Sequence, residues 1–301
     1  MTRAILWFRR DLRLDDNPAL QAAIAQCERL IPLYIHNPGE ESPWAPGQAG
    51  LWWLHHSLAS LDEMLRERGS RLVIRRGDSL EILKALIREH QVTHLFWNRL
   101  YEPAVIERDK RLKQTLTEAG LACESFNGSL LYEPWEIQTG QKTPYKVFTA
   151  FWKACLKRGL PQADPQAAPD ELPALPGSVA TEDLDVLQLL PSTPWDSGFS
   201  ETWTPGSTSA LTQLDTFIAN SIEHYNSDRD LPGTIGTSRL SPHIHFGELS
   251  PLQVLNSVRA MTELDATMRP SGENVYIKQL GWRDFGHHLM YHFPQTTQRP
   301  L

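Results

Sequence analysis

The chain has 301 residues, 41% of them hydrophobic, with a formal net charge of −7; this suits one large or two ordinary domains and gives no sign of the basic face expected of a strong DNA binder. Cys27, Cys123 and Cys155 are widely spaced with no CxxC pair, which argues against a disulfide scaffold or a zinc ribbon and predicts a reducing, cytoplasmic setting. Residues 1–30 hold no long apolar run, so neither a signal peptide nor a membrane span is expected.

Short apolar runs alternate with helical patterns over residues 1–130. Ala4–Phe8 reads as a buried strand. Asn17–Cys27 reads as a helix capped by Asp16 or Asn17, with Pro18 in its first turn. Leu30–Ile35 is the second strand. Gly50–Arg68 is a helix with an apolar stripe of Leu51, Leu54, Leu58, Leu61 and Leu65. Leu72–Ile74 is a third strand, and Ser79–His90 a helix with Ser79 as its cap. Leu95–Trp97, the helix Val105–Ala119 ended by Gly120, and the strand Ala122–Phe126 complete the series. The pattern predicts a five-stranded, doubly wound, Rossmann-like parallel α/β domain. It contains neither GxGxxG nor a P-loop, so phosphate-loop nucleotide binding is not supported.

Residues 131–209 read as a connector: eight prolines fall between Gly159 and Thr208, among many Ala, Ser and Thr. From Ala210 to the last residue the pattern is helical, with Leu211, Leu214, Phe217, Ile218 and Ile222 on one face. The expected fold is therefore α/β plus all-α.

Two clusters carry chemistry. Thr237, Ser238, Arg239 and Ser241 put three hydroxyls and a guanidinium within five residues of Gly236, in the run Gly236–Ser250. Such a group can cradle a pyrophosphate, and the competing reading is a helix N-cap. In Tyr276–Gly286, helical spacing puts Gln279, Trp282, Arg283 and Gly286 on one stripe. An amide, an indole and a guanidinium beside a glycine suit a flat ligand with polar edges; the competing reading is a core helix with a buried Trp. His288 and His292 lie four apart, but no third ligand is evident, so packing histidines are expected rather than a metal site. His243 and His245 are assigned no role.

The ordered series Ile5–Leu20, Trp52–Leu58, Leu130–Trp135, Tyr145–Trp152, Gly236–Ser250 and Gln279–Phe285 resembles the photolyase/cryptochrome family of flavoproteins from Ile5 to the end of the chain. The stretches WWLHHSL and LLYEPWE look closest to its bacterial and plant-cryptochrome-like branches. The resemblance implies a helical domain gripping a folded FAD and a light-driven lyase, deoxyribodipyrimidine photolyase, acting on pyrimidine dimers in UV-damaged DNA, monomeric and not bound to membrane. It assigns the cofactor to Tyr225, Thr237, Ser238, Arg239, Leu240, Ser241, Tyr276, Gln279 and Arg283, and DNA to Arg229, Gln279, Trp282, Arg283 and Gly286, with Gln279 and Trp282 at the lesion. It also implies an antenna, methenyltetrahydrofolate or deazaflavin, with Tyr34–Trp53, including Trp44, Trp52 and Trp53, as its wall. Many cyclobutane-dimer photolyases carry Glu where this chain has Gln279. Six-four photolyases and cryptochromes share the Gln, so a photoreceptor without repair and a six-four enzyme are alternatives. Family members extend well past residue 301, which implies a fragment holding about half of the FAD shell, or an inactive remnant.

Overall fold

The computed structural model describes residues 1–264 and 273–301. The strands are β1 (Arg3–Phe8), β2 (Arg29–His36), β3 (Val73–Arg76), β4 (His94–Asn98) and β5 (Ala122–Phe126). They form one parallel sheet in the order β3-β2-β1-β4-β5. The helices between them are α1 (Pro18–Gln26), α2 (Gln48–Glu67), α3 (Ser79–His90) and α4 (Pro103–Glu118). Central β1 is covered on both faces: Ala4, Leu6 and Phe8 join one core, Ile5 and Trp7 the other. This is why the strand reads as an unbroken apolar run rather than an alternating one. The strands open where expected to within two residues, and the five-stranded parallel α/β fold is as the sequence predicts.

Local signals resolve as follows. Asn17 caps α1, its side chain accepting from Leu20 N at 3.1 Å. The cap of α3 is Asp78, not Ser79: Asp78 Oδ1 accepts from Glu81 N at 3.0 Å. A cap must stand before the first helical residue for its oxygen to reach the third N–H. Ser79 already lies inside the helix, and its hydroxyl donates to Glu40 Oε2 at 2.7 Å.

The remaining helices are α5 (Phe148–Arg158), α6 (Phe199–Thr202), α7 (Ser207–Asn220), α8 (Tyr225–Asp228), α9 (Ser241–His245), α10 (Pro251–Leu264) and α11 (Glu273–His292). The helical expectation over 210–301 includes residues 265–272, which lie outside the described residues. The connector behaves as two different segments. Leu131, Tyr132, Phe148, Phe151 and Cys155 pack with Leu214, Phe217, Leu255 and Leu280, so residues 131–158, with a helix not expected there, build the second core. The Pro-rich remainder wraps the first domain, burying Leu172, Val179, Leu187 and Leu189 against it. It also covers the exposed edge of β3: Ile74 N donates to Thr181 Oγ1 at 2.9 Å and Glu182 N to Ile74 O at 3.1 Å. An unpaired edge would otherwise invite association.

A polar seam joins the two cores. Leu12 N donates to Phe246 O at 3.1 Å, and buried Arg13 donates to Gly247 O at 2.9 Å and Gly128 O at 2.6 Å. Buried Glu248 accepts from Trp53 Nε1 at 3.0 Å, Gly206 N at 2.8 Å and His243 Nδ1 at 2.5 Å.

Candidate functional site

In this strand order the chain winds outward through β2 and β3, then returns to the other side of β1. The reversal lies between β1 and β4. In open α/β sheets, ligands bind outside the carboxyl ends of the strands at such a point. Arg10 follows β1 there and Tyr101 and Glu102 follow β4; all three line a cavity of about 520 Å³ between the sheet edge and the helical half. The opposite wall comes from the helical half: Tyr225, Ser238, Leu240, Ser241, Tyr276, Gln279 and Arg283.

Seven of the residues picked out by motif are thus brought together. The others are not. Thr237 is exposed and lines no part of this cavity. Arg239 takes φ +54° and lines a different cavity, on the side of α7. Arg229 lies over the ring of Tyr225 at 5.9 Å and 3.7 Å from Asp230 Oδ1, the surroundings of a surface helix charge. Trp282 is 48% exposed and stacks on Phe148 with ring centroids 3.5 Å apart. Gly286 lines no part of the cavity, and a Cβ there would meet nothing within 4 Å. The cavity face of α11 is therefore Tyr276, Gln279, Leu280, Arg283 and His287, and Trp282 sits on the neighbouring face, drawn to Phe148 by ring stacking.

The floor is polar and tightly charged. Arg10 pairs with Glu102 at 2.6 Å. Arg10 Nε and Glu102 Oε2 are buried without a protein partner. Burial is the largest influence on the Glu102 carboxyl and raises it, but Arg10, a backbone hydrogen bond and His287 together outweigh it and the net shift is downward. Tyr101 donates its hydroxyl to Glu133 Oε2 at 2.8 Å. Arg283 donates to the carbonyl of Ser129, and burial lowers its pKa. His245 and His287 are each pushed down to about 4, by burial first and then by Arg10 and Arg283 respectively, so both rings are neutral at pH 7. The cavity thus offers hydroxyls, two guanidiniums, two neutral imidazoles, three tyrosines and a leucine face. That donor-rich set with apolar patches suits a large, flat, anionic ligand with polar edges.

A second cavity of about 160 Å³ adjoins it, lined by Tyr34, Trp44, Glu41, Arg108 and residues of the first. Arg10, Leu100 and His245 line both, so these side chains are the partition. Of the residues expected to wall an antenna, Tyr34 and Trp44 line this cavity. Trp52 and Trp53 are instead core residues: Trp53 is held by Glu248 and Trp52 packs edge-on to Phe199 at 5.2 Å.

Arg10 and His245 lie inside motif stretches and Tyr101, Glu102, Ser129 and His287 outside them, and the sequence assigned none of the six a role in this cavity. The signal for Arg10, Tyr101 and Glu102 is positional, the carboxyl ends of the two strands at the reversal. His288 spends both ring nitrogens on backbone: Nδ1–H donates to Pro134 O at 3.0 Å and Nε2 accepts from Tyr145 N at 3.1 Å. His292 Nε2 also meets Pro134 O at 3.0 Å. No helix among the described residues is long and apolar enough to cross a membrane.

The DNA photolyase family model matches residues 4–174, more than half of the chain. The chain is 42% identical to the deoxyribodipyrimidine photo-lyase of Agrobacterium fabrum over 98% of its own length and 60% of that protein's. It is 36% identical to cryptochrome-1 of Arabidopsis thaliana, over 99% of this chain and 44% of the relative. The crystal structure of a bacterial class III photolyase from Agrobacterium tumefaciens superposes with a TM-score of 0.92 at 39% identity, covering 99% of this chain and 61% of that one. The chain therefore spans about 60% of the length of the photolyases it matches. On fold, motif order and family match together, this chain belongs to the DNA photolyase family of flavin-dependent proteins.

Proposed function

We propose that the cavity at the sheet reversal is part of the FAD site of a light-driven deoxyribodipyrimidine photolyase, a carbon–carbon lyase that repairs pyrimidine dimers in UV-damaged DNA. The observation that carries this is the convergence of Ser238, Ser241, Tyr225, Tyr276, Gln279 and Arg283, drawn from separate motifs, on one cavity. The cofactor fits the residues present: the hydroxyls would suit its pyrophosphate, the aromatic and leucine surfaces its rings, and the unpartnered Glu102 Oε2 and Arg10 Nε a polar edge.

FAD, when bound and reduced, supplies the absorption of light and the electron that splits the dimer. Ser238 and Ser241 would hold its phosphate oxygens by their hydroxyls, with Tyr225 and Tyr276 on the same wall. Arg283, permanently charged and held in place by Ser129, would neutralise a phosphate. Gln279 donates hydrogen bonds from its amide but no proton. Trp282 presents an open indole face one turn from Gln279, where an extruded pyrimidine can stack. The smaller cavity, with Tyr34 and Trp44, is the antenna site, for methenyltetrahydrofolate or deazaflavin. The reading also places the protein in the cytoplasm, as a monomer on DNA. Gln279, the net charge of −7 and the likeness to a plant cryptochrome favour a second reading, a photoreceptor without repair.

Two measurements test this. Flavin is quantified after denaturing the purified chain, and dimer-containing oligonucleotide is illuminated with it. Bound FAD with light-dependent dimer loss is the expected result. Bound FAD without repair supports the photoreceptor, and absence of flavin removes the cofactor assignment from this chain.

A further inference from the structure

The loop of residues 237–241 has a second side. Its buried Leu240 faces the flavin-site cavity, while Arg239, in the left-handed region, turns into a separate cavity of about 260 Å³. The far wall is the first turns of α7, with Thr208, Ser209, Thr212 and Gln213. Gln213 ties the two walls together by donating to Ser238 O at 3.0 Å. At the base lies His243, 3% exposed.

From these features we infer that this cavity binds a phosphoryl group. Among the described residues no carboxylate lines it, in a chain with a net charge of −7. Arg239 has no hydrogen bond or ion pair to any described residue, so its guanidinium is free for a ligand. His243 supplies the second, independent observation. Glu248 is an acceptor toward Trp53 and Gly206, and its other oxygen faces His243 Nδ1 at 2.5 Å, so Nδ1–H donates. The Nε2 edge of this buried ring is left without a partner among the described residues, and the ring lines the cavity. A buried imidazole with one edge fixed by a carboxylate and the other open is an oriented ligand group.

The chemistry selects phosphoryl over other anions. With Nδ1–H donated to Glu248, Nε2 accepts from a phosphate P–OH. Thr212 donates its own hydrogen to Thr208 O at 3.0 Å, so toward a ligand its oxygen only accepts, again from P–OH. Sulfate at neutral pH has no hydrogen to give. Arg239 contributes the planar, charged donors that suit phosphoryl oxygens. The volume admits a phosphoryl group with a small substituent. This site is independent of the flavin assignment, because it lies on the opposite side of the loop.

Inorganic phosphate is the first probe, titrated into the full chain by calorimetry while the His243 ring resonance is followed. The expected result is saturable binding at one site, a shift of the His243 signal, and at least tenfold weaker binding in both Arg239→Gln and Ser209→Ala. Arg283→Gln, in the flavin-site cavity, should leave phosphate affinity unchanged. Adenosine monophosphate is the second probe: tighter binding than phosphate identifies a phosphomonoester as the ligand, and equal or weaker binding identifies free phosphate. Absence of saturation, or loss of binding in Arg283→Gln but not in Arg239→Gln, overturns the site. Flavin content, measured separately, reports on the other cavity and not on this one.

Discussion

Arg10 and Glu102 pair at 2.6 Å across the point where the sheet reverses its strand order, joining the ends of β1 and β4 beneath the helical half. Arg10 also lowers the pKa of His245, second only to burial, holding it at about 4. Arg10→Gln removes that positive charge and leaves the nearby Glu102 carboxylate, which favours the protonated ring. The His245 pKa should rise toward 6.5 in an NMR titration of its imidazole. An unchanged value would show that burial alone sets it.

Gly247 stands where the two cores meet, at φ +68°, and a Cβ there would lie 2.2 Å from Arg10 O. Backbone cannot swing aside as a side chain can. Gly247→Ala combines strain with a backbone clash and should cost roughly 2–5 kcal/mol in urea unfolding. Gly140→Ala, with nothing within 4 Å of the new Cβ, is the control and should be nearly neutral. Equal stabilities would refute the close approach.

Trp282 is anchored by Phe148 on one face and exposed on the other. If the open face stacks on a flipped base, Trp282→Ala weakens binding of dimer-containing DNA by about 1–3 kcal/mol. The effect on undamaged duplex should be small, since no base is extruded there. Equal losses on both DNAs would reassign the indole to general packing.

The pH dependence of stability comes from opposed groups. His245, His287 and His288 are each lowered to about 4, chiefly by burial, so their contribution is present above pH 6.5 and lost as pH falls toward 4. Asp284 is raised to about 7 by burial, so its contribution is full below the unfolded value of 3.8 and lost as pH rises toward 7. Between pH 4 and 6.5 the two partly cancel, and the three histidines prevail. Asp284→Asn keeps an acceptor for Tyr132 N, which donates to the native carboxylate at 3.0 Å, and removes the opposing titration. Its unfolding free energy should rise more steeply with pH across that window than the parent's. A parallel or shallower curve would contradict the raised Asp284 pKa.

The α/β half is legible because its signals are local: buried strands read as apolar runs, and α2 shows its leucine stripe along its length. The helical half depends on long-range packing. Phe148 and Phe151 look like ordinary connector aromatics until Phe217 and Leu280 stand against them. The motif residues of the cavity at the sheet reversal were visible as types, but not their direction. Helical spacing placed Trp282 beside Gln279, and only the competing stack on Phe148 turns it away. Arg239 is the sharper case, since a single left-handed residue sends its side chain to the opposite side of its own loop. Arg10, Tyr101 and Glu102 were missed because their signal is topological: strand order must be known before the reversal point can be located.

The seam through Arg13, Gly247 and Glu248 constrains how family members can be recombined. Arg13 is buried and divides its bonds between Asp16 O in its own segment and the carbonyls of Gly247 and Gly128, and the Glu248 carboxylate is satisfied by Trp53 of α2, Gly206 just before α7 and His243 of α9. A chimera that joins this first domain to a foreign helical half puts at risk two side-chain bonds that cross the seam, Arg13 to Gly247 O and Trp53 to Glu248. Crossovers that keep the whole seam inherit residues 10–13, 53, 128, 206 and 243–248 from one parent, although they are scattered over most of the chain.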